Sequence, residues 1–551
     1  MTATPGQPTR IVILGGGFAG VYTARKLERL LGRRTDVEIS LVNRDNYFVF
    51  QPLIPEIVSG NVGILDTVSP IRSLIKRTRL FVRDVDRVDL EKRRVILCAG
   101  FKPRPYVLDY DHLVLALGNV TDFRGMPGLH EHALPFKNVA DAIELRNHLI
   151  RVLEEASVET DPEFRKQLLT FVVAGGGFSG VEVAAEMNDF LRREGERQYP
   201  IDPKEIRVVL VHSGLRVLER EMGEKLSKYA MRVLERHGVE MCMNRRLKAA
   251  TPEAAVLDND ERILTKTLVS TVPSFPNPLI DGLDLPKQKG RVEVDEHLRV
   301  KDRPGLWALG DCALVPIAGT DTFCPPTAQH ATRQAEVLAA NIVATMHTRP
   351  LKSFRFQGLG KLGALGHHRA VAELFGKVRI GGFPAWLLWR TIYWWKLPGF
   401  MRKVKVGLSW ALDLAFPPDF SQLKLSPSQG VGQAHFEAGE YVFHQGDLGD
   451  ALYIIVKGTA DVVKECDGQE DVLAQLHAGE MFGELALLNQ PTRMASIRCT
   501  TALDVIVIRR SEFGVLATNL TSFRENIDRL AAERAQRDPS PMAAEPSEDR
   551  S

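Results

Sequence analysis

A chain of 551 residues is too long for one hydrophobic core and implies roughly three or four domains. Its 44% hydrophobic and 25% charged residues are ordinary for a globular protein, and a formal net charge of +2 excludes a general nucleic-acid binder. Six cysteines without a Cys-x-x-Cys pair fit a reducing compartment and exclude a redox dithiol. No basic-then-apolar leader precedes the strand at Ile11, and no stretch reaches the ~18 uninterrupted apolar residues of a spanning helix.

The first element is a β-branched strand running into a glycine turn and an alanine-containing helix, IVILGGGFAG at 11–20. The same pattern returns at 171–180 as FVVAGGGFSG. The glycines are Gly15, Gly17 and Gly20, then Gly175, Gly177 and Gly180. In such a motif one glycine permits a tight turn, one lets backbone approach a pyrophosphate, and one lets helix pack on strand. The helix N-terminus offers N–H groups and a positive dipole end to the phosphates. One copy is a weak signal; two in strand–turn–helix context imply two bound dinucleotides and electron transfer between them.

Further along, YDHLVLALGN at 110–119 reads as a buried strand ending in a turn, and RVVLVHS at 207–213 as the second strand of the second unit. GLWALGDCA at 305–313 ends a strand in Gly310-Asp311, followed by a helix from about 326 to 345. Its aspartate suits a sugar hydroxyl of a cofactor, or else simply caps a turn. A first domain interrupted by a second and then resumed is a nested arrangement of two Rossmann-like α/β domains.

Residues 10–415 resemble the type II NADH:quinone oxidoreductases, single-chain flavoproteins with two dinucleotide-binding domains. The carrying segments are GGGFAG, NYFVFQPLIPEIVSG at 46–60, YDHLVLALGN, GGGFSGVEVAAE, LWALGDCA and PPTAQHATRQA at 325–335. The resemblance implies FAD on Gly15, Gly17, Phe18, Gly20, Asn43, Arg44, Val85, Gly118, Gly310, Asp311, Ala328 and Gln329. It implies NADH or NADPH on Gly175, Gly177, Gly180, Glu182, His212 and Val272, and a quinone pocket near Ala328-Gln329. Glu182 and Gln329 are the candidate catalytic residues. Glu182 either orients a carboxamide or relays a proton, or complements its helix dipole. Gln329 offers an amide to a quinone carbonyl. A sulfide:quinone oxidoreductase is disfavoured, because its expected cysteine pair is absent between Cys98 and Cys242.

Two positions depart from pattern. The strands that usually end in Asp or Glu, for the adenosine ribose, end here in Asn43 and His212. Without a carboxylate at His212, and with Arg216 nearby, NADPH becomes an alternative donor. The family's glycine near the nicotinamide is replaced by Val272.

Residues 377–412 hold five of the six tryptophans, Trp386, Trp389, Trp394, Trp395 and Trp410, with seven cations and no Asp or Glu. Two amphipathic helices broken at Pro398-Gly399 are expected to lie on a membrane surface, with Trp at headgroup depth. A Pro/Ser/Gly-rich linker at 416–433 leads to short strands that resemble a β-roll cyclic-nucleotide-binding domain. Its cassette is FGELALL at 482–488 with Gly483, Glu484 and Leu485, then Arg493, Ala495 and Ser496. Glu484 suits the ribose 2′-hydroxyl and Arg493 the cyclic phosphate. Met494 follows the arginine where binders carry a small residue, so loss of the ligand is the competing reading.

The resulting expectation has an FAD domain at 1–150 with 300–376 and an NAD(P)H domain at 151–299. An anchor at 377–415, the linker, a cyclic-nucleotide domain at 434–537 and a disordered tail at 538–551 complete it. The partners are quinone, a lipid surface, cyclic AMP as regulator and a second copy in a homodimer, with the protein on the cytoplasmic face of the cell membrane. The alternative is a cyclic-nucleotide-responsive scaffold with a degenerate flavoprotein half.

Overall fold

The computed structural model describes residues 8–100, 104–121, 126–271, 274–320, 322–412, 421, 432–447, 449, 451–466, 469–484 and 492–509. The chain divides into two compact units, Met1–Ile96 with Leu108–Lys424, and Leu97–Val107 with Leu425–Ser551.

In the first unit each glycine turn is fed by the central strand of a five-stranded parallel sheet. One sheet runs Leu306–Ala308, His112–Leu115, Thr9–Leu14, Val37–Asn43, Arg79–Val82. The other runs Leu134–Pro135, Thr267–Ser270, Thr170–Ala174, Arg207–His212, Val239–Met243. Near-continuous apolar strands are what a parallel sheet covered on both faces requires. Ile11, Ile13, Leu14, Phe171, Val172 and Val173 have no exposed surface. The late strand Leu306–Ala308 joins the first sheet beside His112–Leu115, so the chain returns after building the second sheet. Asn119–Thr121 pairs antiparallel with Ser274–Pro276 between them.

The helices Phe18–Leu31 and Phe178–Gln198 start immediately after the two turns. The helix Val139–Val158 begins with a capping box. Asn138 accepts from the Asp141 N–H, and Asp141 accepts from the Asn138 and Lys137 N–H groups. A cap of this kind stabilises a helix by about 1 kcal/mol. Here it also fixes where Lys137 stands.

Three antiparallel strands, Gly360–Ala364, Ala370–Leu374 and Val378–Gly382, precede the helices Phe383–Lys396 and Phe400–Leu412. The expected anchor is corrected in three respects. Lys377 and Arg379 belong to the hairpin and its turn rather than to a helix, and Arg379 pairs with Glu373. Trp386 and Trp389 are buried, and Trp410 donates to the buried Glu56 at 3.0 Å, so these rings face protein. Arg390 and Arg402 are paired, with Glu56 and Asp66. The outward surface is instead two rows at helical i, i+4 spacing, Phe383-Leu387 with Trp395 and Phe400-Val404-Leu408-Leu412, each 46–78% exposed. No helix among the described residues is long and apolar enough to cross a membrane.

The second unit contains two four-stranded antiparallel sheets. One orders Gly432–Phe436, Leu503–Arg509, Ala451–Lys457, Met481–Phe482; the other orders Tyr441–Phe443, Ser496–Cys499, Ala460–Cys466, Gln469–Leu476. Ile455, Phe482, Ile497, Leu503 and Val505 fill the space between them. The expected disordered tail lies outside the described residues, as does most of the linker.

Candidate functional site

The two glycine turns are built alike and open differently. Gly15 and Gly175 have φ of 110° and 120°, which a side chain would strain. A Cβ on Gly20 or Gly180 would stand 1.8 Å from the carbonyl oxygen of Gly15 or Gly175. These glycines exist for packing. Gly17 is different: a Cβ there meets nothing within 4 Å. That open face is what a bound pyrophosphate needs, and it fits FAD.

The residue ending each second strand braces its turn. The Gly16 N–H donates to Asn43 Oδ1 at 2.7 Å, and the Gly176 N–H to His212 Nδ1 at 3.1 Å. His212 is therefore the tautomer with its proton on Nε2, and burial holds its pKa below the usual value. Asn43 Nδ2 donates onward to the Asp45 carbonyl.

Both turns lead into one cleft of about 710 Å³. Phe18 and Tyr22 enter it from the first helix, and Phe178 and Glu182 from the second. Asp311, Ala328 and Gln329 line it, as do Lys137, Tyr393 and Lys396. Phe18 packs edge-on against Phe48, and Phe50 against Tyr393, which makes one wall aromatic.

At one end Asp311 faces Lys137 and Arg291. Burial pushes the Asp311 carboxyl up while these two cations pull it back. Burial lowers the Lys137 ammonium to about 8, against the pull of Asp311 and Asp141. Lys137 also donates to Asn119 Oδ1. Gly310, at φ 73°, donates its N–H to Gln334 Oε1 at 2.8 Å. Gly118 sits at φ 65° with open space where a Cβ would be.

Glu182 lies in the cleft, its Oε1 accepting from the Ala364 N–H at 3.0 Å. Burial, with the neighbouring Glu56, pushes its pKa up to about 8. Behind it, Glu56 and Glu186 are both buried and both raised, chiefly by desolvation. Arg390 lies 3.5 Å from Glu56 and stacks on Trp386 and Trp410. Asn61 donates to Glu186 at 3.3 Å. Burial pushes Glu182 and Glu186 each up to about 8, and it raises Glu56 against the pull of Arg390.

Gln329 is at the cleft, but its amide bridges backbone. Nε2 donates to the Gly360 carbonyl at 3.1 Å and Oε1 accepts from the Leu359 N–H at 3.2 Å. One N–H remains for a ligand. Arg44 is exposed and pairs with Asp84, while Val85 lies half-buried on the strand Val85–Asp89; neither lines the cleft. Val272 lies outside the described residues. Sequence reasoning missed Lys137, Glu56, Glu186 and Arg390. Only Glu186 had a readable signal, its i+4 spacing from Glu182 on one helix face.

In the second unit Arg493 is buried, donating to the Gly483 and Ala451 carbonyls at 2.8 Å each and lying 4.0 Å over the Phe443 ring. Glu484 is buried next to Gly483. The Ser496 hydroxyl accepts from the Gln445 N–H at 2.9 Å, and Ala495 precedes it half-buried. Leu485 lies outside the described residues.

Two glycine turns whose helices enter one aromatic and acidic cleft are the frame of a dinucleotide-dependent oxidoreductase. The chain belongs to the pyridine nucleotide-disulphide oxidoreductase family, whose model matches residues 9–335, and within it to the type II NADH:quinone oxidoreductases. Residues 433–519 match the cyclic nucleotide-binding domain. The chain is 30% identical over 454 residues to the type II NADH:quinone oxidoreductase Ndh of Mycobacterium tuberculosis, covering 79% of this chain and 94% of that one. It is 31% identical over 411 residues to the demethylphylloquinone reductase NdbB of Synechocystis, covering 73% and 95%. NDH2 of Plasmodium falciparum, solved with NADH, shares the fold at a TM-score of 0.70 and 19% identity, over 75% of this chain and all of that one.

Proposed function

We propose that the chain is a membrane-peripheral, FAD-dependent NAD(P)H:quinone oxidoreductase controlled by a cyclic nucleotide. The observation that carries this is the single cleft, entered by both glycine-turn helices and bordered by the amphipathic helix residues Tyr393, Trp395 and Lys396. The FAD domain is 1–150 with 300–376 and the NAD(P)H domain 151–299. Bound FAD supplies reversible two-electron chemistry between a hydride donor and quinone.

The chain's own groups do the rest. Gly17 leaves room for the pyrophosphate and Asp311 accepts from a sugar-alcohol hydroxyl, with Lys137 balancing its charge. Phe18 and Phe178 exclude water from the ring-to-ring contact. Glu182 holds a proton up to about pH 8 and delivers it to a quinone oxygen. Glu186, pushed up to about 8, stands behind it as a further proton-holding group, with Glu56 raised by burial beside it. The test is anaerobic: purified protein should be yellow and bleach on adding NADH or NADPH, then recolour on adding quinone. A colourless, folded chain would instead make the flavoprotein half a scaffold.

The lipid-facing surface is the outward pair of apolar rows with Lys396 and Lys405, and the membrane is the cytoplasmic face of the cell membrane. Deleting the helices would also strip Arg390 and Trp410 from Glu56, so the surface itself is the thing to change. Replacing Phe400, Val404 and Leu408 by serine should abolish co-sedimentation with anionic vesicles while leaving flavin reduction intact. Regulation rests on Glu484 and Arg493, brought together at Gly483. A charged hydrogen bond to phosphate contributes about 1.5–3 kcal/mol, or roughly 10- to 100-fold in affinity. Calorimetry of the whole chain with cyclic AMP and cyclic GMP checks this; no heat at millimolar ligand would make the domain an assembly element.

A further inference from the structure

His212 stands where a dinucleotide fold normally places the carboxylate that grips the adenosine ribose. Its Nδ1 is already engaged by the Gly176 N–H. The ring therefore supports the turn, and Nε2 points away from it. The carboxylate whose charge acts on the ring is Glu219. Nε2 lies 2.8 Å from the point where a Cβ on Gly214 would stand, and Glu219 Oε2 lies closer still to the same point.

The loop carrying Glu219 is pinned to the phosphate turn. Leu218 is fully buried at φ 55°, and its N–H donates to the Gly176 carbonyl at 2.7 Å. Glu221 and Met222 then donate back to the Leu218 carbonyl. Glu221 reaches across the turn, its Oε1 3.1 Å from a Cβ position on Gly177.

The cation that made NADPH attractive is already engaged. Arg216 lies 3.6 Å from Glu219 and 3.6 Å from Glu224, between two carboxylates. Arg220 acts on both His212 and Glu221, Lys361 acts on Glu221, and Lys228 pairs with Glu224 at 2.8 Å. Three carboxylates, Glu219, Glu221 and Glu224, thus meet four cations, and the carboxylate beside the strand end is Glu219.

Resting on the proposed dinucleotide role of this turn, we propose that Glu219 replaces the missing strand-end carboxylate. It accepts from the adenosine ribose hydroxyls and repels a 2′-phosphate, making the enzyme selective for NADH over NADPH. His212 is the positioning residue that holds the turn and presents Nε2–H beside it. A 2′-phosphate carries about −1.5 to −2 charges at neutral pH and would have to displace Glu219 from Arg216.

Calorimetry with ADP-ribose and 2′-phospho-ADP-ribose on the flavin-loaded whole chain tests this without turnover. Wild type should bind ADP-ribose at least tenfold more tightly than its 2′-phosphate. Glu219→Gln should weaken ADP-ribose about tenfold or more and shrink the difference. Glu219→Arg should reverse the preference. Glu219 is a surface residue in a solvent-accessible ion pair, so an unchanged melting temperature certifies both variants. Equal or tighter binding of the 2′-phosphate by wild type, or an unchanged ratio in Glu219→Gln, would overturn the proposal. Failure of folded wild type to bind either probe would overturn the dinucleotide reading of the turn itself, and the proposal with it.

Discussion

The two glycine turns are the same device tuned for two tasks. Offset by 160 residues, Gly15, Gly16, Gly17, Phe18, Gly20 and Val21 match Gly175, Gly176, Gly177, Phe178, Gly180 and Val181. In both, the second strand ends in a side chain that accepts from the middle glycine. The differences are at the mouths. Gly17 faces open space, whereas Glu221 reaches over Gly177. Two residues past the last glycine, the first helix presents Tyr22 and the second presents Glu182, both into the cleft. Burial raises both, but only the carboxyl is brought into the physiological range, at about 8. The scaffold is duplicated; the carboxyl raised into the physiological range is on one copy.

The largest expected effect separates the packing glycines from the open one. Gly20→Val or Gly180→Val drives a side chain into a carbonyl oxygen and should give no soluble protein. Gly17→Val should give folded protein, by circular dichroism, without flavin absorbance. Normal flavin content in Gly17→Val would break the assignment of the first turn.

Next in size is the Tyr22/Glu182 pair. Glu182→Gln should lower quinone turnover by about 10²- to 10⁴-fold, whereas Tyr22→Phe should keep the wild-type pH profile. Wild-type turnover should fall above about pH 8 as Glu182 loses its proton, a limb absent in Glu182→Gln. The same shift acts on stability. The folded pKa lies above the unfolded one, so this contribution is complete below about pH 4.5 and is lost as the pH rises toward 8. Thermal melts from pH 5 to 8.5 should therefore fall less steeply in Glu182→Gln.

The smallest effect concerns the turn braces. Asn43→Ala should weaken FAD retention and His212→Ala should raise the KM for the donor, each by about 1 kcal/mol, roughly fivefold. Only the second should depend on pH. His212 has a lowered pKa, so its bracing contribution is complete above pH 6.5 and is lost as the pH falls through the folded value, when Nδ1 can no longer accept. A pH-dependent defect in Asn43→Ala instead would mean that the braces are not equivalent.

Much of the cleft was legible residue by residue. The glycines, Asp311, Glu182 and Gln329 sit in ordered segments whose local geometry follows from strand, turn and helix. Arg44 and Val85 were placed with the cofactor by resemblance; like the turn glycines and Asn43, they lie outside the cleft lining. Lys137 was not legible, because a capping box 170 residues before Asp311 brings it there. The tryptophan-rich segment was legible as amphipathic, but which face was wet was not. Helical spacing alone does not say that a buried carboxylate waits at Glu56 for Arg390 and Trp410.

What the sequence by itself determined is the pair of parallel-sheet glycine turns, their nesting and the separate β-sheet unit. These depend on short-range rules: β-branched strands, glycines where a Cβ is forbidden, and a helix following at once. What only the tertiary structure decided is the chemistry of charge. Glu182 reads as an ordinary helix glutamate until the cleft walls bury it and the charge of Glu56 adds to the effect. His212 reads as a lost ribose ligand until its ring is seen on the Gly176 N–H with Glu219 alongside. Protonation and charge pairing depend on groups that the chain brings together from far apart, over distances that no local pattern records.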